Sequence, residues 1–91
     1  DTVCTVRVNG TEVLKSKNAF RAYRRDLSAV LRKGENHLQI VFHSATQAAN
    51  AAQAAQPFFV PYIAQNNPVP NGNMLRKPGF DWGWDWNIAL V

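Results

Sequence analysis

A short alternating stretch followed by Asn-Gly is the feature that most constrains the fold of this chain. Residues 3–8 place Cys4, Val6 and Val8 on one side of an extended backbone and Thr5 and Arg7 on the other. A period of two is typical of a half-buried β-strand. Asn9 and Gly10 follow, and both residue types tolerate the positive φ of a two-residue hairpin turn. The segment predicts a β-hairpin in which residues 12–14 return as the partner strand.

The next thirty residues predict a connection and a further strand. Residues 20–25 are aromatic and basic, and residues 26–31 are typical of a single helical turn. Asp26 is placed to accept hydrogen bonds from the free backbone N–H groups at the start of that turn. Residues 33–36 favour another turn. Residues 37–42 alternate again, which predicts a strand with Leu38, Ile40 and Phe42 on its core face.

The composition changes between residues 44 and 56, which contain seven alanines and three glutamines with neither Gly nor Pro. Alanine has the highest helix propensity, and flexible linkers are usually rich in Gly and Ser. We therefore favour a helix over a low-complexity linker for residues 44–56. Ser44 is suited to cap its start, and Pro57 is suited to end it.

Residues 57–80 hold all five prolines of the chain and predict a long loop. Loops of this length in small domains are usually functional. They lead into the most unusual segment, residues 81–91, which the pattern predicts to be a Trp-rich strand. Its first six residues contain Asp81, Trp82, Trp84, Asp85 and Trp86.

The Trp-rich segment supports two interpretations. A tryptophan ring packs well on the C–H face of a sugar, and an adjacent aspartate accepts hydrogen bonds from sugar hydroxyls, so the segment is a candidate sugar site. Alternatively, a regular strand would turn Trp82, Trp84 and Trp86 together into a core. Gly83 favours the first interpretation slightly, because a glycine inside a strand often marks a bulge that redirects the next side chains.

Other function classes find less support in the sequence. The net charge is +4, and seven of the ten basic residues precede residue 33. We interpret them as a solvated face rather than a nucleic-acid site, because the tryptophans lie far from the basic cluster. Cys4 is the only cysteine, and neither it nor His37 and His43 show metal-ligand spacing, so no metal or cofactor is expected. No membrane-spanning segment is recognisable.

Catalysis of glycoside cleavage normally requires two carboxyl groups that flank the scissile bond. The only glutamates, Glu12 and Glu35, lie at predicted hairpin edges, and nothing places Asp81 and Asp85 on opposite sides of a substrate. We therefore assign no catalytic residue and expect this chain alone not to be an enzyme.

The motifs nevertheless occur in a familiar order. The strand before Asn9-Gly10, then Phe20-Arg21-Ala22-Tyr23, then Gly34-Glu35-Asn36-His37-Leu38 resemble the sugar-binding domain of glycoside hydrolase family 2. The remaining motifs resemble its β-mannosidases in particular: Phe42-His43-Ser44-Ala45, Val60-Pro61-Tyr62, Asn67-Pro68-Val69-Pro70, Arg76-Lys77-Pro78 and Trp84-Asp85-Trp86.

The resemblance implies a fold and a role. It implies an all-β, galactose-binding-like jelly-roll β-sandwich, incomplete over residues 1–91, with one Ala-rich helical insertion. It implies a retaining glycoside hydrolase whose catalytic glutamates lie on a separate (β/α)₈ barrel. It also implies that Trp84 and Asp85 reach that barrel's pocket and bind a β-mannoside or related glycoside, with Asp81, Trp82 and Trp86 as secondary candidates.

An independent carbohydrate-binding module is the alternative function. Such a module is expected to start and stop at turns, whereas this chain opens inside a strand pattern and ends in another. We interpret both ends as cuts, and unpaired strand edges left by such cuts predict self-association. The interpretation as part of a larger glycoside hydrolase is therefore favoured.

Overall fold

A computed structural model of the chain describes residues 2–63, 69–83 and 88–89. Three strands in the described residues form an antiparallel sheet in the order β2-β1-β3. They are β1 (Cys4–Val8), β2 (Thr11–Ser16) and β3 (Leu38–Phe42), and one α-helix, α1 (Ala45–Ala54), follows. The described part of the chain contains no helix with the length and apolar character needed to cross a membrane.

The Asn-Gly hairpin forms as the alternation predicts. Asn9 has φ 50° and Gly10 has φ 82°, which are the positive values that a two-residue hairpin turn requires. The returning strand is longer than the predicted residues 12–14, and it carries an irregularity: Val6 pairs with Leu14 whereas Arg7 pairs with Glu12. One extra residue on β2 therefore makes a β-bulge, a feature that the alternation did not predict.

Asn9 also holds the connection between the hairpin and β3. Its side-chain Nδ2 donates to the Val30 carbonyl at 2.8 Å and to Asn36 Oδ1 at 2.9 Å, and its Oδ1 accepts from the His37 N–H at 2.9 Å. The predicted helical turn lies in this connection, where the Leu31 N–H donates to the Leu27 carbonyl at 3.0 Å. These bonds set β3 in register beside β1.

The apolar face of β3 departs from the prediction. Leu38, Ile40 and Phe42 share a sheet face with Val8, Val6 and Cys4, as the alternation requires. They are nevertheless 60%, 48% and 63% exposed, so the prediction that they face a core is wrong for the described structure. The physical reason is that a core needs two layers, and no second layer covers β3 in the described residues.

The helix predicted over residues 44–56 spans Ala45–Ala54, and Ser44 caps it by accepting from the Gln47 N–H at 3.3 Å. Its Ala49 is completely buried and forms a small core with Val69 and Trp82, which are 2% and 8% exposed. A methyl side chain at this position lets the following loop approach the helix closely. This core is separate from the sheet and lies against the segment with the candidate site.

The segment after the helix contains two short 3₁₀ helices, Gly72–Met74 and Gly79–Trp82. The first interrupts the loop predicted over residues 57–80. The second contains Asp81 and Trp82, so the strand predicted from residue 81 onward is wrong at its start. Pro78 and Gly79 open a tight turn there, and Gly83 with φ 91° closes it. The rest of that predicted strand falls mainly on residues 84–87, which lie outside the described residues.

Candidate functional site

The structure describes the first three residues of the Trp-rich segment, residues 81–83. Of the five residues singled out in the sequence, Trp84, Asp85 and Trp86 lie outside the described residues, whereas Asp81 and Trp82 sit side by side in the second 3₁₀ helix. Trp82 points into the small core beside Ala49, and Asp81 is half-buried. For Trp82, the interpretation as a core residue therefore describes its position.

Backbone hydrogen bonds fix the geometry of this turn. The Asp81 N–H donates to the Pro78 carbonyl at 3.1 Å, and the Gly83 N–H donates to the Phe80 carbonyl at 3.1 Å. Gly83 is buried and has a φ of 91°, a value that residues with a Cβ rarely adopt. The turn is thus defined up to the residue that directly precedes Trp84 in the sequence.

Lys77 is the feature of the site that sequence reasoning missed. Its side chain is buried, with 6% of the residue exposed, and its Nζ lies 4.7 Å from the centre of the Trp82 ring. A cation over the face of an indole is attracted by the negative face of the ring. Burial lowers the pKa of the Lys77 ammonium, and the nearby Asp81 carboxylate partly opposes that shift. Lysine in a Pro-rich loop gives no sequence signal of burial.

Asn71 packs beside the same core. It has φ 61°, and its Nδ2 donates to Asn50 Oδ1 on α1 at 3.0 Å. Its own Oδ1 is buried and has no hydrogen-bond partner among the described residues. The Asn71 side chain thus links the loop that contains Val69 to α1, the helix that packs against Trp82.

Exposed aromatic and aliphatic side chains surround this loop region. The Phe59 and Tyr62 rings meet edge to face with centroids 6.4 Å apart, and Asn73 Nδ2 donates to the Pro61 carbonyl at 3.4 Å. The large apolar residues of these loops that remain more than three-fifths exposed are Phe58, Phe59, Ile63 and Phe80. Such exposed apolar groups are typical of surfaces that pack against another protein segment.

A second surface is strongly basic. An open groove of about 940 Å³ runs along the polar face of β1 and β2. It is lined by Arg7, Lys15, Lys17, Arg21, Arg24 and Arg25, with Glu12 as the one acidic residue among its described lining residues. Glu12 lies 3.7 Å from both Arg7 and Lys15, in exposed ion pairs that contribute little to stability. Trp82, the tryptophan within the described residues, does not line this groove. The interpretation of these basic residues as a solvated face therefore stays a prediction.

Neither surface holds the ligands of a metal site in the part of the chain that the structure describes. No group of three or more His, Cys, Asp or Glu side chains lies close enough there to coordinate an ion. Cys4 is half-buried, and its Sγ lies 3.1 Å from Ser16 Oγ. His43 Nε2 lies 2.7 Å from Thr5 Oγ1, which gives this imidazole a structural partner.

Comparison with known proteins identifies the family. The model of the glycosyl hydrolase 2 galactose-binding domain-like family matches residues 1–91, the whole chain. Beta-mannosidase B of Aspergillus terreus is 34% identical over 92 residues, and the match covers 100% of this chain and 11% of that relative. Beta-mannosidase B of Thermothelomyces thermophilus is 34% identical over 91 residues, covering 100% of this chain and 10% of the relative.

A probable beta-mannosidase of Caenorhabditis elegans is 33% identical over 97 residues, covering 99% of this chain and 11% of the relative. The chain thus spans only about a tenth of the length of the relatives that it matches. The resemblance found in the sequence motifs is confirmed by a match over the full chain. This chain belongs to the galactose-binding domain-like family of glycosyl hydrolase 2.

Proposed function

We propose that this chain is part of a non-catalytic, jelly-roll β-sandwich domain of a retaining β-mannosidase or related glycoside hydrolase. In this proposal Trp84 and Asp85 contribute to a sugar pocket that a separate (β/α)₈ barrel completes. The observation that carries the proposal is the match of all 91 residues to the family and to relatives named beta-mannosidase. The antiparallel sheet with its exposed apolar strand face is compatible with one layer of a sandwich.

The packing around the second 3₁₀ helix supports a defined position for this element. Trp82 is anchored in the core with Ala49 and Val69, and Gly83 closes the turn with a backbone hydrogen bond. A binding group contributes most when the backbone that carries it is held in place before the ligand arrives. Trp84 and Asp85 follow this anchored turn directly in the sequence.

Exposed apolar side chains on the second 3₁₀ helix and on the loop after α1 support contact with another domain. Phe80 belongs to the same 3₁₀ helix as Trp82 yet is 67% exposed. Phe58, Phe59 and Ile63 are exposed to a similar degree on the preceding loop. Covering such groups against a barrel removes apolar surface from water, at about 25 cal/mol per Å².

The chemistry assigned to the two residues is binding rather than bond cleavage. A tryptophan face packs against the C–H groups of a sugar ring, and a carboxylate accepts hydrogen bonds from the sugar hydroxyls. Cleavage itself needs an acid and a nucleophile about 5–5.5 Å apart in a retaining glycosidase. In the proposal the barrel supplies that pair, and this chain shapes the pocket.

The test is Asp85→Ala in the full-length enzyme. Loss of hydrogen bonds from a charged acceptor costs on the order of 2–3 kcal/mol, which corresponds to roughly a 30- to 150-fold fall in kcat/KM. Kinetics with a nitrophenyl β-mannoside measure this fall, and Trp84→Ala should also lower kcat/KM. Glu35→Ala, which removes an exposed carboxylate far along the chain, is the matched control and should keep wild-type kinetics.

Thermal unfolding separates a binding role from a structural one. Asp85→Ala should lower kcat/KM while the melting temperature stays close to that of the Glu35→Ala control. Wild-type kcat/KM in Asp85→Ala contradicts the pocket role. A loss of activity that appears only together with a matching fall in melting temperature makes the segment a core strand instead.

A further inference from the structure

Lys77 occupies an unusual position for a lysine, because the residue is buried and its charged end lies beside the Trp82 ring. Only 6% of the residue is exposed, and its Nζ lies 4.7 Å from the centre of the Trp82 ring. Lysine is almost never buried unless its charge is paired or otherwise stabilised. The indole face contacts the ammonium group, and the charge of the nearby Asp81 carboxylate favours its protonated form.

The position of Lys77 in the chain links two parts of the site. It immediately precedes Pro78, whose carbonyl accepts the hydrogen bond that starts the second 3₁₀ helix. On its other side, the Arg76 carbonyl accepts from the Ala19 N–H at 2.8 Å and so joins this segment to the residues after β2. The contact between the Lys77 ammonium and the Trp82 indole lies within residues 76–83. Hydrogen bonds of the Arg76 carbonyl and of the Gly83 N–H hold the backbone at the two ends of this segment.

From this geometry we propose that Lys77 is a positioning residue, whose ammonium clamps the Trp82 indole and thereby orients the turn that leads into Trp84 and Asp85. The inference rests on the proposed function, since it concerns how the sugar-binding element is held. Lys77 touches Trp82 and acts on the binding residues only through the turn. A neutral apolar side chain would fill part of the same space but would lose the attraction between the cation and the ring.

The test is a double-mutant cycle in the full-length enzyme with nitrophenyl β-mannoside as substrate. Lys77→Met in the wild-type background should lower kcat/KM about tenfold, the range expected when a desolvated cation–π contact is lost. Lys77→Arg keeps a cation for the ring and should recover most of the activity. Lys33→Met, which neutralises an exposed lysine, is the matched control and should leave kcat/KM unchanged.

The second half of the cycle asks through which residue Lys77 acts. In an Asp85→Ala background, Lys77→Met should cause a further loss well below tenfold, because Trp84 is then the only one of the two binding residues left for it to position. A merely structural role gives a different result: the full tenfold loss recurs in the Asp85→Ala background. That additive result would overturn the inference, as would a Lys77→Met enzyme with wild-type kcat/KM.

The cycle also separates this inference from the proposed function. If Asp85→Ala alone retains wild-type kcat/KM, the pocket role of Asp85 fails, and with it the proposed function on which the Lys77 inference rests. If Asp85→Ala loses activity and Lys77→Met does not, only the clamp fails. Should Lys77→Met melt below the assay temperature, Trp82→Phe takes its place in the cycle, since it keeps an apolar ring in the core and weakens the cation contact.

Discussion

The Thr5 hydroxyl and the His43 Nε2 atom lie 2.7 Å apart and join the central strand β1 to the residue that follows β3. Thr5 is 4% exposed, whereas the His43 residue is exposed. The backbone repeats the link, since the His43 N–H donates to the Val3 carbonyl at 2.9 Å. This polar pair thus links β1 to the end of β3, at the point where the chain continues toward α1.

The first prediction tests this bond. Thr5→Val keeps the side-chain shape and removes the hydroxyl, so the free energy of unfolding should fall by about 1 kcal/mol, the usual net worth of one hydrogen bond. Urea denaturation of the purified chain measures the fall. Thr46→Val, on the exposed side of α1, is the matched control and should change stability much less. Equal effects of the two substitutions would show that the hydroxyl contributes nothing specific.

A second prediction concerns the conformation of Asn9. Its φ of 50° is unfavourable for alanine by roughly 1–2 kcal/mol, whereas glycine adopts it freely. Asn9→Ala should therefore lower the free energy of unfolding by more than Asn9→Gly does. Both variants lose the side-chain bonds to Val30, Asn36 and His37, so their difference isolates the backbone cost. Equal denaturation midpoints would mean that the turn relaxes to a different geometry.

Prediction from the sequence succeeded at the hairpin and failed near Trp82, and the distance along the chain between the interacting residues explains both outcomes. The hairpin depends on residues adjacent in sequence: an alternating strand and two residues suited to positive φ. The helix depends on alanine composition and a Ser44 cap, which are local as well. These features are visible without knowledge of the tertiary structure, so the sequence predicted them with boundaries wrong by only a few residues.

The described start of the Trp-rich segment, Asp81 and Trp82, depends on contacts that are distant in sequence. Trp82 is buried against Ala49, thirty-three positions earlier, and this packing cannot be read from the spacing of the tryptophans. In a regular strand, the Trp82 indole would share a face with Trp84 and Trp86. Pro78, Gly79 and Gly83 instead impose a 3₁₀ turn at Trp82. The burial of Lys77 was missed for the same reason. The exposure of Leu38, Ile40 and Phe42 differs again, since their pattern is correct and the covering layer is what the described structure lacks.

That exposed strand face leads to a third prediction, that the isolated chain self-associates. β2 and β3 are the edges of the described sheet, and unpaired edges with exposed apolar side chains recruit other chains. Light scattering at increasing concentration should detect dimers or larger species. Ile40→Lys places a charge on this face and should shift the population toward monomer, whereas Gln39→Lys on the opposite face should not. A wild-type chain that stays monomeric at high concentration contradicts the prediction.

A fourth prediction is that the isolated chain has no glycosidase activity. Its two glutamates are separated in role as well as in sequence, because Glu12 pairs with Arg7 and Lys15 on the sheet and Glu35 lies in an exposed turn. Within the described residues, the two glutamates are therefore not set across a substrate as an acid and a nucleophile. Incubation with a nitrophenyl β-mannoside should release no nitrophenol above background. Turnover that purifies with the chain and disappears in Asp81→Ala or Asp85→Ala would refute this.

The last prediction follows from the pKa of Lys77, which burial lowers below its ordinary value of 10.5 while Asp81 acts in the opposite direction. In the unfolded chain the lysine regains its ordinary pKa. Between the lowered pKa and 10.5, the unfolded state therefore binds more protons than the folded state. The free energy of unfolding consequently rises with pH across that window, and the cost of burying the charge is largest below it.

Lys77→Met removes this titration and leaves the others in place, so the comparison of the two proteins isolates it. Wild type should gain stability relative to Lys77→Met as the pH is raised from neutrality to 10.5, measured by urea denaturation at each pH. Asp81→Asn removes the carboxylate that holds the pKa up, so in that background the pKa falls further and the pH-dependent gain widens. Lys33→Met, at an exposed position, should run parallel to wild type. Parallel curves for wild type and Lys77→Met would instead mean that the Lys77 ammonium titrates in the folded chain as it does in the unfolded one.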